Sequence, residues 1–399
     1  MSGLCSLGND WSTVQSRLVN GESGISAAPE FAEISGLRTR LLGRVRNFET
    51  VEGASRRNLR SMGRVSMLAA EATRISLESA GLTGDPIVSS GRTGIAYGSM
   101  SGSPPAIETY ARQIGIHGSL HGITASSFVQ LMSHTVVANL AQLFRCSGRV
   151  IPTGADTVSG TLAIGYAAES IRWGLQDVMI AGGSEEAHPL ITAILDCHGL
   201  TASTGTETNT PRPFDRKRNG LVVAEGAATL ILEEREHALN RGANILGEIA
   251  GFATRTNGGS FTNPDCGSIQ ELLRAAILDS QLSSDEIEAV SANASGIRED
   301  TVEAQAISAL FGDQVAVYAL KSQLGHALGG SGAMAAWIAF ETMREGWIPP
   351  ILHLETPDAD CGDLDLVRHD REFREGGTVI IDLGIGGANT ALVLLPQAS

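Results

Sequence analysis

Residues 153–183 read TGADTVSGTLAIGYAAESIRWGLQDVMIAGG. A turn of small residues, Thr153-Gly-Ala-Asp-Thr157, leads into a run whose apolar residues recur at helical spacing. A short apolar strand pattern follows, Asp177-Val-Met-Ile-Ala181, stopped by Gly182-Gly183. Turn, helix and buried strand in that order predict an α/β architecture. A side chain on the turn sits at the N-terminus of a buried helix, which lowers the pKa of a thiol and stabilises an oxyanion. Thr157, the position best placed to use that geometry, carries a hydroxyl.

The stretch has a counterpart further along the chain. At an offset of 172 residues, Ser159-Gly160 aligns with Ser331-Gly332, Ala163 with Ala335, Ala167 with Ala339, Glu169 with Glu341, Arg172 with Arg344 and Gly174 with Gly346. Identities at one offset indicate a duplicated unit. Small residues at helical spacing let two central helices pack closely, so two similar α/β halves are expected to sandwich them, divided near Gly242 into residues 1–241 and 242–399. In the first half Asp10 to Asn20 and Arg64 to Ala80 read as helices, Thr93 to Tyr97 as a strand, and Phe128 to Phe144 as one buried helix. In the second, Leu246 to Thr254, Glu288 to Ser291, Val315 to Leu320, Gly377 to Leu383 and Thr390 to Leu395 read as strands, with helices at Ser268 to Ser280, Val302 to Phe311 and His326 to Gly346. The opening residues, Met1 to Gly8, read as loop, with no strand before the first helix.

Composition narrows the partners. At 399 residues, with 42% hydrophobic residues, the chain can bury a continuous core. A net charge of −15 argues against nucleic acid or an anionic membrane as the main partner. Five scattered cysteines without a CxxC pair indicate neither a disulfide framework nor a zinc site, which fits a reducing cytoplasm. No secretion signal is evident, and the most apolar helical run, Ala333 to Phe340, is far short of the roughly 20 residues of a membrane span. Eight arginines between Arg38 and Arg64 are the one basic concentration. They are either a solvated face with intersubunit ion pairs or, at Arg56, Arg57, Arg60 and Arg64, a docking patch for an acidic partner. His117 and His121 lack a third ligand, so no metal is expected.

Lys321-Ser-Gln-Leu-Gly-His326 lies between a strand and a glycine-punctuated helix, which places His326 on a loop facing the cleft of Thr157. Gly384-Ile-Gly-Gly387 offers backbone N–H groups to an oxyanion, and makes a poor dinucleotide fingerprint because no helix follows it.

These segments resemble the β-ketoacyl synthases of the thiolase-like superfamily. The motifs that carry the resemblance are Arg56 to Ala80, Asp177 to Gly183, Arg212-Pro-Phe-Asp-Arg-Lys-Arg-Asn-Gly with Ala224-Glu-Gly-Ala, Lys321 to His326, and Gly384-Ile-Gly-Gly-Ala-Asn, in the family's order. The resemblance implies a duplicated α-β-α-β-α layered sandwich, a dimer with strands paired across the interface, acyl chains carried on the phosphopantetheine of acyl carrier protein, and no cofactor. It also implies a first strand that begins before this sequence does.

Three departures stand out. The family's nucleophilic cysteine falls on Thr157, its first catalytic histidine on Ser295, and the phenylalanine of its acyl gate on Ile385; the second histidine and the lysine are retained as His326 and Lys321. A threonine hydroxyl needs an adjacent base to attack a thioester. Loss of nucleophile and base together is similar to chain length factors, inactive subunits that pair with an active ketosynthase and shape the acyl tunnel in type II polyketide, polyene or fatty-acid-like synthesis. By position, Phe128, Leu131, Met132 and Thr135 would line or plug that tunnel, and the backbone of Thr157 and Ile385 would form the oxyanion-type site. The alternative is an acyltransferase or malonyl decarboxylase that uses Thr157 with His326 as base.

Overall fold

The computed structural model describes residues 1–202, 209–259 and 264–397. Its two central helices, Ser159–Arg172 and Ser331–Glu345, are those of the repeat. Each is entered through one 3-10 turn, Asp156–Val158 and Leu328–Gly330. Each turn opens on a non-glycine residue in the left-handed region, Asp156 at φ 57° and Leu328 at φ 45°. These two residues are also 172 positions apart, so the duplication extends to a backbone conformation that L residues adopt at a cost.

The helices touch through their glycines. A Cβ on Gly160 would lie 2.7 Å from the carbonyl of Gly329, and one on Gly332 would lie 1.6 Å from Thr161 Oγ1. A sheet packs on each side of the pair. The first sheet has the spatial order Ser2–Leu4, Gly226–Glu233, Val178–Glu185, Thr93–Gly98, Val150–Thr153. The second runs Asp365–Leu366, Ala316–Tyr318, Ile287–Ser291, Gly377–Leu383, Ala388–Pro396, Gly247–Thr256. Arg64–Ser79 and Thr135–Phe144 cover the outer face of the first sheet; Cys266–Ser280, with Asp300–Phe311 beside it, covers the second. The result is the α-β-α-β-α sandwich that the resemblance implied.

Four local expectations are corrected. The opening residues do contain a strand: Ser2–Leu4 pairs antiparallel with Ala227–Thr229, and Ser2 Oγ donates to Ala72 O at 2.7 Å. Three residues are too few to display an alternating pattern, so only the partner strand reveals them. The strand after the first central helix runs on past Gly183 to Glu185 and is buried throughout. His326 precedes its helix: it bridges Val223 in extended conformation, and the helix begins only at Ser331.

The expected helix from Phe128 to Phe144 is two helices, Ala125–Leu131 and Thr135–Phe144. The turn at Ser99–Gly102 approaches the backbone between them, and the carbonyls freed by the break find other donors. Ser103 N donates to Gln130 O at 3.2 Å, and Thr135 Oγ1 donates to Met132 O at 2.6 Å and to Val129 O. Capture of these carbonyls removes the usual penalty of a helix end inside a protein.

Glu186 follows the strand and is buried, accepting from Ser103 Oγ at 3.1 Å and Val65 N at 3.4 Å. Burial pushes its carboxyl up to about 7, against the pull of those donors. A carboxyl raised on folding adds stability below its unfolded pKa, near 4.5, and that stability is lost as pH rises through its folded value. The urea midpoint should therefore fall between pH 5 and 8, and Glu186→Gln should remove a part of that slope on the order of 2 kcal/mol. An equal slope in the variant would locate the titrating group elsewhere.

Candidate functional site

Thr157 sits in the first 3-10 turn with no exposed surface. Its hydroxyl donates to Leu383 O at 3.2 Å, at the end of the strand preceding the Gly384–Gly387 loop. A hydroxyl that gives its proton to a backbone carbonyl is held as a structural donor, because that carbonyl cannot serve as a general base. The glycine loop is latched to the same turn: Gly386 N donates to Asp156 Oδ2 at 2.9 Å, so one of its amides is already engaged.

The second cluster lies on the loop after Ile287–Ser291. Lys321 Nζ donates to Asn293 O and Oδ1, both at 2.8 Å. Asn293 N donates to Glu303 Oε1 at 2.6 Å, and the amides of Ser295 and Gly296 donate to Asp300 at 3.1 and 2.8 Å. Asp382 accepts from Thr161 Oγ1 at 2.6 Å, and its second oxygen has no hydrogen-bond partner among the described residues. Burial pushes Asp300 and Asp382 up to about 6 and Glu303 to about 8. It pushes Lys321 down, against the opposing attraction of Asp382, Glu303 and Asp300. Ser295 is 1% exposed, and its backbone is bound into this network through Asp300.

His326 is held by its own loop. Leu328 N donates to Nδ1 at 3.1 Å, and Ser331 Oγ lies 3.1 Å from the same nitrogen. Burial, then the charge of Lys321, keep its pKa well below the ordinary value. The ring is neutral, and a backbone donor on Nδ1 assigns its proton to Nε2. In that tautomer His326 presents a donor rather than a base.

Near these residues lies a cavity of about 60 Å³ lined by Asn293, Asp300, Glu303, Leu383, Ile385 and Asn389 among others. A cleft of about 490 Å³ lies instead at the C-terminal ends of the central helices, lined by Ala168, Arg172, Phe340 and Arg344 among others. By helix rise that is about 20 Å from Thr157, and Thr157, Ser295, Lys321, His326 and Ile385 are not among its lining residues.

On the surface, Phe128 is 54% exposed, Leu131 and Met132 are half-buried, and Thr135 is buried with its hydroxyl turned back onto the helix break. Ile116 and Leu120, in the connection leading to this segment, are exposed, as is Val150 of the edge strand Val150–Thr153. Arg56, Arg57 and Arg60 are exposed, and Gln130 Nε2 ties the helix of Phe128 to this basic segment through Arg60 O at 3.2 Å. Arg64 is different. Its guanidinium pairs with Glu225 at 2.7 Å and donates to Val45 O and Phe48 O, which commits it to the interior rather than to a docking surface.

Family models for the N-terminal and C-terminal domains of β-ketoacyl synthases match residues 1–238 and 246–355. The chain belongs to the β-ketoacyl synthase family. A β-ketoacyl synthase from Burkholderia phymatum STM815 is similar to it with a TM-score of 0.96 and 37% identity, covering 100% of this chain and 98% of that one. The structure described as the ishigamide ketosynthase/chain length factor gives 0.91 and 25%, with the same coverage. In sequence, granaticin polyketide putative β-ketoacyl synthase 1 of Streptomyces violaceoruber is 32% identical over 379 residues, 91% of this chain and 89% of that protein. Two buried acids were not singled out from sequence: Glu185, which accepts from Gly329 N on the turn after His326, and Asp382, which accepts from Thr161. Two adjacent acids, Glu185-Glu186, separated from the apolar run Val178–Ala181 only by Gly182-Gly183-Ser184, were the available signal for the first; nothing local marks the second.

Proposed function

We propose that this chain is a non-catalytic, chain-length-factor-type ketosynthase subunit that heterodimerises with an active β-ketoacyl synthase and shapes the tunnel holding the growing acyl chain on acyl carrier protein. The observation that carries the reading is Thr157: a buried hydroxyl, spent on Leu383 O, stands where the family has its cysteine. Ser295 in place of the first histidine points the same way, because loss of one member of a catalytic set already removes most of its activity. The tautomer of His326 argues against the alternative, in which it would serve as base to Thr157. Similarity to a ketosynthase/chain length factor structure supports the partner class, and the exposed edge strand Val150–Thr153 with Phe128, Ile116 and Leu120 is the kind of apolar, unpaired surface that a partner covers. Arg56, Arg57 and Arg60 beside it are proposed to meet the acidic carrier protein.

Co-expression with a cysteine-containing synthase should yield a stable heterodimer on size exclusion, and Phe128→Ala should move its products to longer chains. A chain that leaves partner activity and products unchanged sinks the proposal. Incubation of the chain alone with acyl or malonyl carrier protein should leave its intact mass unchanged; an acyl adduct abolished by Thr157→Ala would establish the acyltransferase instead.

A further inference from the structure

Glu185 is fully buried at the end of its strand, and its carboxylate accepts from five neutral donors drawn from two distant turns. From the Ser99–Gly102 turn come Ser99 Oγ at 3.2 Å, Met100 N at 2.7 Å, Ser101 N at 3.3 Å and Ser101 Oγ at 2.6 Å. From the turn before the second central helix comes Gly329 N at 3.3 Å. Burial pushes the carboxyl above its ordinary value, and these donors pull it back.

One turn reaches His326 and the other the helix break at Leu131–Ser133. The neighbour of Gly329, Leu328, donates to His326 Nδ1. The neighbour of Ser101, Gly102 at φ 69°, lies so close to the helix break that a Cβ there would be 2.7 Å from Leu131 O and 2.8 Å from Ser133 N. Ser103 N then takes Gln130 O at 3.2 Å. One carboxylate therefore joins the His326 turn to the helix break that contains Met132 and follows the helix of Phe128.

We propose that Glu185 is a positioning residue for chain-length control: it sets where the Leu131–Ser133 break, and with it Phe128 and Met132, stands relative to the core, without touching partner or acyl chain. The inference rests on the function proposed above. Glutamine at 185 keeps the shape but turns an NH2 group toward backbone N–H groups, so donors face donors and the Ser99–Gly102 turn must shift.

The test uses the full chain co-expressed with a cysteine-containing synthase and carrier protein, comparing wild type, Glu185→Gln, Phe128→Ala and the milder Ser101→Ala, which keeps the test alive if the glutamine variant does not fold. Expected for Glu185→Gln and Ser101→Ala are heterodimers whose dissociation constants stay within about threefold of wild type, since neither substituted side chain lies on the partner-facing surface, and a major product displaced by at least one ketide unit in Glu185→Gln, less in Ser101→Ala. Lowered melting temperatures with an unmoved product distribution, while Phe128→Ala does move it, would overturn the positioning role and leave the proposed function standing. A wild-type chain that neither binds the synthase nor alters its products overturns the function itself, and this inference with it.

Discussion

Lys321→Met is expected to destabilise the fold by about 3–5 kcal/mol, the range for removing one partner from a buried charged cluster. Lys321 is the cation among Asp300, Glu303 and Asp382, all of them buried, and its ammonium bonds both oxygens of Asn293. Methionine keeps the volume and the apolar stem while leaving Asn293 O and Oδ1 without that donor. The penalty should depend on pH in a defined direction. Asp300 and Asp382 are held near 6 and Glu303 near 8, with Lys321 pulling Glu303 and Asp382 down from still higher values. At pH 5 the carboxyls are largely protonated and miss the cation little; at pH 8 they must either ionise unpaired or take up protons. Urea titrations at the two pH values should therefore show the larger loss at pH 8. A loss under about 1 kcal/mol at both would mean that Lys321 is not what holds this buried polar cluster together.

Gly332→Ala should be at least as damaging, on the order of 4 kcal/mol, because the added methyl has nowhere to go. Its Cβ would lie 1.6 Å from Thr161 Oγ1 and 2.4 Å from Asp382 Oδ2, and those two atoms are bonded to each other at 2.6 Å. Relief requires either breaking that buried hydrogen bond or separating the central helices, which shifts both sheets. Combining Gly332→Ala with Thr161→Ala removes the closest clash, so the pair should be less destabilised than the sum of the single variants. Additive losses, read from thermal or urea unfolding, would show that the helices separate freely and that their glycines are incidental.

Much of the site was legible in the sequence because its geometry is local. The turn at Thr157 and the Lys321–His326 loop are each bound to the helix that follows, and helix periodicity together with the repeat located both. The absence of cysteine and histidine at 157 and 295 needs no coordinates. The break in Phe128–Phe144 was not legible, because apolar spacing within that segment is helical; the Ser99–Gly102 turn, which breaks it, is folded against it from another part of the chain. Arg64 could not be told from its exposed neighbours for the same reason: its partner is Glu225, 161 residues away.

By itself, then, the sequence determined the duplicated α/β architecture, the close approach of two small-residue helices, and the presence of hydroxyl side chains at positions 157 and 295, since each depends on residue type and spacing. Only the tertiary structure decided what the remaining polar groups do. It turned the hydroxyl of Thr157 onto Leu383, assigned the proton of His326, enclosed three carboxylates around Lys321, and bound two remote turns to Glu185. A hydrogen bond and a pKa are properties of neighbours, and in this fold the neighbours are contributed by segments far apart in the chain.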